Sequence, residues 1–382
     1  MNIVHITLDE KFVNSANNQF STIHYTSTFY ILLPQKKKKL KYVEKRNNVV
    51  VVHSSLYNLY KLATTIENSL IIFHGLSFKA AFITRFCKKK NTFLWMLWGS
   101  EFFSNTAIFK DQSVFYDKLT LKLKNEIDHQ QNKTFLNSFY KHLNLVKHKF
   151  ALNSILQMDF VGLPFEEQLT ELSQKTNKIF KPINFMYYPI DLVIQNSIEE
   201  INSKNILVGN SASATNNHLE VFEILNKKKQ SDRFIICPLS YGDKTYREKL
   251  IKSGNEIFDQ KFIPLVDFLP LHEYNAIIKS CSIAIMNHKR QQAFGNIISL
   301  IYQGTKVFLH NQNPIYLYLK RISVVVFSIE DDLQSDDETI FDELLLSVKV
   351  NNRKIIFDSF NILTLNESLS KSLELIKKEN GY

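Results

Sequence analysis

The sequence predicts an α/β protein built from two Rossmann-like domains that face each other across a cleft. Three observations predict it. Short β-rich runs alternate with helix-like runs through most of the 382 residues, the pattern of parallel strands joined by helical crossovers. The alternation fades around 182–203, where Pro182, Pro189 and a polar run over 195–204 read as a linker, and then resumes. The length is long for one core and comfortable for two.

The first-half strands fall at 2–6, 29–33, 49–52, 70–73 and 92–97, with helical patterns at 56–67 and 78–87 between them. The start reads as a strand and not as a signal peptide, because no basic segment precedes its apolar residues. In the polar and aromatic stretch 113–149, Phe115, Leu119, Leu123 and Ile127 recur at helical spacing, as do Phe139, Leu143 and Val146. They predict two amphipathic helices broken near 129–134. After the linker, strands are expected at 205–208, 233–237, 261–266, 282–286, 306–309 and 324–328. Helices are expected at 217–228, 244–253, 272–280, 296–302, 337–348 and 367–378. The domains are therefore 1–195 and 205–360, with a C-terminal helix in 361–382.

An apolar content of 45% with 30 Phe and 16 Tyr excludes disorder. Cys87, Cys237 and Cys281 have no metal-like spacing, and an odd count argues for buried thiols in a reducing compartment. No apolar run approaches the roughly 20 residues that cross a bilayer, so a cytoplasmic protein is expected. The net charge of +10 is clustered at 36–39 with Lys41, at 88–90 and at 227–229. Without a nucleic-acid module signature, these clusters fit an anionic membrane surface better than nucleic acid. Solvated helix ends are the plainer alternative.

Four stretches could carry chemistry. Lys289-Arg290-Gln291-Gln292, with Gly295, lies between a strand and a helix start. A cation, two amides and unpaired helical N–H groups suit an anion such as a nucleotide diphosphate. Gly209-Asn210-Ser211 follows the strand at 205–208 and precedes His218. It could hold phosphates from the opposite side, or be a capped turn with His218 on an exposed helix start. Tyr241 follows another strand, placed to stack on a nucleobase or to anchor a turn. Trp98-Gly99-Ser100-Glu101 puts a carboxylate past a strand among aromatics, which would raise its pKa toward that of a general base. His74, after the strand at 70–73, would face the same cleft, as would Asp9. There is no metal box, and a cation with a helix dipole can stabilise a leaving diphosphate without one.

These residues carry a resemblance. Leu207-Val208-Gly209-Asn210-Ser211 with Asn216 and His218 looks like the L-V-G-N-S…N-x-H of glycosyltransferase family 56. Arg290-Gln291-Gln292 with Gly295 resembles its R-Q-Q-x-x-G, and Asn313-Pro314 its N-P. Tyr274 with Cys281 is similar to its Y-x-x-x-x-x-x-C, Phe73-His74-Gly75 to its F-H-G, and Trp98-Gly99 to its W-G ahead of an acid. The family's G-D after G-N-S is Ala212-Ser213 here, and its aspartate after W-G-A is Glu101.

The resemblance implies a GT-B fold, with a nucleotide-sugar donor in the second domain and a lipid-linked acceptor at the first. The family's known member moves 4-acetamido-4,6-dideoxy-D-galactose (Fuc4NAc) from its TDP-sugar to a lipid-linked saccharide in enterobacterial common antigen synthesis. The expectation is a metal-independent, cofactor-free hexosyltransferase, peripheral on the inner face of the cell membrane. Gly209, Asn210, Ser211, His218, Tyr241, Arg290, Gln291, Gln292 and Gly295 are its candidate donor residues, and Glu101 and His74 its candidate catalytic ones. A non-catalytic two-lobed nucleotide- or sugar-binding protein is the alternative; an epimerase of the same plan is a weaker third.

Overall fold

A computed structural model describes residues 1–34, 40–88, 90–131, 135–193, 204–228, 232–269 and 271–382. The basic runs at 36–39, Lys89 and Lys229, most of the 195–204 linker and the centre of the helix break near 129–134 lie outside the described residues.

The chain forms two compact units. The first comprises Met1–Lys110, Ser138–Pro189 and Phe360–Tyr382; the second, Asp111–Asn137 and Ile190–Ser359. The first holds a parallel sheet of β1 (Asn2–Thr7), β2 (Thr26–Leu33), β3 (Val49–His53), β4 (Ser69–His74), β5 (Thr92–Met96), β6 (Phe160–Leu163) and β7 (Lys181–Asn184). Its order is β3-β2-β1-β4-β5-β6-β7. The second holds β8 (Asn205–Val208), β9 (Ile235–Pro238), β10 (Phe262–Leu265), β11 (Cys281–Met286), β12 (Lys306–Leu309) and β13 (Phe327–Ser328). Its order is β10-β9-β8-β11-β12-β13. Each order reverses once, between β1 and β4 and between β8 and β11, and such reversals leave a crevice at the carboxyl ends of the strands.

Strands buried on both faces read as apolar runs, and β4 and β11 are buried at every position. That is why both stand out in the sequence. The sequence does not announce β6 and β7, each of four residues. Pro182, expected to open the linker, lies inside β7 instead. As the last strand of its sheet, β7 tolerates a residue without an N–H.

Two tertiary attachments redraw the linear halves. Helix Lys118–Gln131 belongs to the second unit: Ile127 enters that core, and Thr120 donates N–H and O–H to Glu220 Oε1 and Oε2 at 2.8 and 2.6 Å. Helix Ile362–Asn380 belongs to the first, where Leu369, Leu373 and Ile376 join the sheet core. Tyr382 O–H lies 3.0 Å from the Ser69 carbonyl. The helix expected at 337–348 is a correction. Asp337 caps a short 3-10 turn through Thr339 N–H, and the helix runs over Leu346–Phe360. Among the described residues, no helix is long and apolar enough to cross a membrane.

Candidate functional site

In the second unit, β8 ends in Gly209 at φ +67°. A Cβ there would lie 2.5 Å from His218 Nε2 and 2.8 Å from Asn216 Oδ1, so only glycine lets the chain turn over these groups. Asn216, 1% exposed, ties the turn together. Its Nδ2 donates to the Ser211 and Ser213 carbonyls at 3.1 and 3.0 Å, and its Oδ1 accepts from Asn210 N–H at 2.9 Å. Gly209→Ala combines a left-handed backbone with that overlap and should cost about 1–3 kcal/mol of stability. Urea unfolding checks it; an unchanged midpoint would mean the turn is not built this way.

The loop after β11 meets this turn. His288 Nε2 lies 2.7 Å from Asn216 Oδ1 and 3.2 Å from Asn210 Oδ1. Both neighbours are acceptors, so Nε2 carries the proton and the ring is neutral, as its burial also favours by pushing its pKa well down. Gln292 Nε2 donates to Asn210 Oδ1 at 3.0 Å, Thr215 O–H donates to Gln292 Oε1 at 2.7 Å, and Asn210 Nδ2 donates to the Tyr241 hydroxyl at 3.0 Å. Asn210, Ser211, Tyr241 and Gln292 therefore share one network, and Gly209 turns the chain beside it. His218 is fully buried and not at an exposed helix start; burial lowers its pKa to about 3.

Lys289 and Arg290 are used differently. Lys289 forms a 2.6 Å ion pair with Asp117. Arg290 is half-buried, close enough to Tyr116 and His288 to perturb both electrostatically. Its backbone carbonyl accepts from Asn313 Nδ2 at 3.2 Å, while Asn313 also caps helix Pro314–Arg321. Gln291 Oε1 is buried without a partner among the described residues. Helix Phe294–Gln303 starts from Ala293 in the left-handed region, with no side-chain cap from that residue. Gly295 in its first turn is exposed, with nothing within 4 Å of where a Cβ would stand.

In the first unit, a cavity of about 420 Å³ is lined by Asp9, Lys11, His74, Gly75, Trp98 and Glu101 among others, at the ends of β1, β4 and β5. Glu101 Oε1 accepts from Trp95 Nε1–H at 3.0 Å and Trp98 N–H at 2.9 Å. Ser100 O–H reaches Oε2 at 3.3 Å. Burial raises the Glu101 pKa against these bonds. His74 is 2% exposed, with Nε2 2.9 Å from His5 Nδ1 and Nδ1 2.6 Å from the Tyr187 hydroxyl. Burial lowers its pKa to about 3. Tyr187 also accepts from Trp98 Nε1–H at 2.9 Å. Among the described residues, no cluster of His, Cys, Asp or Glu could hold a metal ion.

His288 and Tyr187 escape sequence reasoning, and Thr215, which with Asn216 reads as a candidate helix cap, donates instead to Gln292 while Asn217 stands at the helix start. The one signal for His288 was its place as a polar residue just past a fully buried strand. Nothing local marks Tyr187, which reaches His74 across 113 positions.

The model of the family described as 4-alpha-L-fucosyltransferase glycosyl transferase group 56 matches residues 139–372. Among solved structures, the N-terminal domain of Candida albicans trehalose-6-phosphate phosphatase is similar at a TM-score of 0.65 and 8% identity, covering 99% of this chain and 96% of that one. The E. coli trehalose-6-phosphate structure bound with UDP-2-fluoro glucose matches at 0.64 and 10%, covering 99% of each. Anabaena HepE in complex with UDP matches at 0.61 and 11%, covering 98% of this chain and all of the other.

Proposed function

The chain belongs to the 4-alpha-L-fucosyltransferase family, glycosyl transferase group 56, and from that premise we propose that it moves a deoxy-amino sugar of the 4-acetamido-4,6-dideoxygalactose type from a TDP-sugar to a lipid-linked saccharide. Its GT-B fold and glycosyltransferase activity are the ground this reading stands on. The observation that carries the donor site is the joining of the β8 and β11 loops by Asn210, Asn216, His288 and Gln292, at the point where the strand order reverses.

The diphosphate lies against the uncapped start of helix Phe294–Gln303, where N–H dipoles favour negative charge. Arg290 supplies the charge-assisted contact, Asn210 and Ser211 hydrogen-bond oxygens from the other loop, and Gln291 and Gln292 lie toward the sugar. Tyr241, 57% exposed, offers its ring to the base. As the donor's bond to its diphosphate breaks, charge grows on the leaving oxygen, and this cradle stabilises it without a metal or cofactor. The acceptor lies in the first unit's cavity, with Glu101 taking the proton from its hydroxyl. His74 has both ring nitrogens engaged and a low pKa, so it serves by holding Tyr187 and, through it, Trp98. The enzyme works against the inner face of a membrane, where a polyprenyl acceptor resides.

Thermal unfolding with TDP, UDP and GDP tests the donor site. TDP is expected to raise the melting temperature most, because a ligand that binds only the folded state stabilises it. In Gly295→Ala the unliganded melting temperature should hold or rise slightly, since alanine favours a helix where a Cβ has open space. Its TDP-induced shift should shrink. A full shift in the variant would move the diphosphate away from this helix start.

A further inference from the structure

We propose that the first unit seats itself on anionic lipid through an aromatic and basic face made by helices Leu56–Thr65, Phe78–Phe86 and Phe135–Ile155. This deepens the lipid-linked acceptor reading, on which it rests, and moves the docking surface away from the lysine runs. The three helices contain no aspartate or glutamate. Lys61, Arg85, Lys147 and Lys149 lie on them, none paired with an acidic residue among the described residues.

Large apolar side chains stand in water beside these charges. Tyr57 is 72% exposed, Leu56 59% and Val146 52%. Ring contacts tie neighbouring helices together: Tyr60 meets Phe86 edge-on at 5.3 Å, Phe82 lies 4.7 Å from Phe86, and Phe78 lies 5.3 Å from Phe150. Several large exposed apolar side chains gathered on packed helices mark an interaction site. Tyrosines with unpaired cations around them suit the headgroup boundary of a bilayer, where rings insert and cations meet anionic lipid.

The helix starts also follow the proposed acceptor cavity along the chain. Leu56 follows β3, and Phe78 follows Gly75, Leu76 and Ser77, which line that cavity. Lys79 Nζ donates to Ser54 Oγ at 2.5 Å, fastening the two helix starts together. A saccharide in the cavity thus has its lipid tail beside the surface that would enter the bilayer.

The test sediments the full-length protein with vesicles of phosphatidylethanolamine and phosphatidylglycerol, and with phosphatidylcholine vesicles as the neutral control. Wild type should pellet with the anionic vesicles and only weakly with the neutral ones. The triple variant Tyr57→Ser/Tyr60→Ser/Phe86→Ser and the charge reversal Lys61→Glu/Arg85→Glu should each bind at least about tenfold more weakly. Their melting temperatures and TDP-induced shifts should be kept. Tyr57→Ser alone, the most exposed site, covers the case in which the triple variant unfolds. Wild type that stays in the supernatant would overturn the proposal, as would Tyr57→Ser and the charge reversal both pelleting like wild type. A TDP shift without vesicle binding would leave the donor reading standing while the surface falls; vesicle binding without a TDP shift would do the reverse.

Discussion

Arg290→Ala is expected to lower kcat/KM by about 30- to 1,000-fold, equivalent to about 2–4 kcal/mol of transition-state stabilisation. Arg290 lies in the loop after β11, next to a lysine already spent on Asp117. In the proposed donor site, removing the Arg290 side chain takes away the cation assigned to the developing diphosphate charge. The Arg290 backbone carbonyl stays held by Asn313 in the variant, and the melting temperature reports whether the fold is kept. Arg290→Lys should recover part of the loss, since it keeps the charge but not the planar fork. Steady-state kinetics with the melting temperature read alongside decide the matter: turnover unchanged in a folded Arg290→Ala protein would remove this residue from the site.

Glu101→Gln should lower kcat by about 100- to 10,000-fold if the carboxylate is the general base. Glutamine keeps an oxygen for Trp95 Nε1–H and Trp98 N–H, so the loss reports on proton transfer and not on collapse. The pH dependence gives the sign. Burial raises the Glu101 pKa above the ordinary carboxylate value, so the base is protonated and idle at a pH where an exposed glutamate would work. The acidic limb of the wild-type rate profile should therefore lie above the usual carboxylate range. Linkage adds a second readout. A carboxyl whose pKa is raised on folding stabilises the folded state at low pH and loses that contribution as pH rises through the raised value. Glu101→Gln should then be relatively more stable than wild type on the alkaline side. A kcat within a few-fold of wild type would point the search to Asp9, on the same cavity.

The chain order of apolar runs already carried the two-sheet plan, because parallel strands buried on both faces must be nearly continuous in apolar residues, and β4 and β11 are. The residues proposed for the donor side were picked out for a related reason. Gly209 and the Asn210-Ser211 pair follow β8 directly and the Arg290-Gln291-Gln292 run follows β11 after three residues, so strand ends in the sequence mark the two loops that meet. What only the tertiary structure decided involves partners far apart in sequence. It buried His218, bound Lys289 to Asp117 across 172 positions (289 − 117), and placed the neutral His288 between Asn210 and Asn216. It also gave Lys118–Gln131 to the second unit and the last helix to the first. A periodic sequence shows which face of a helix is apolar, but the core that buries that face is chosen by packing, which local pattern does not encode.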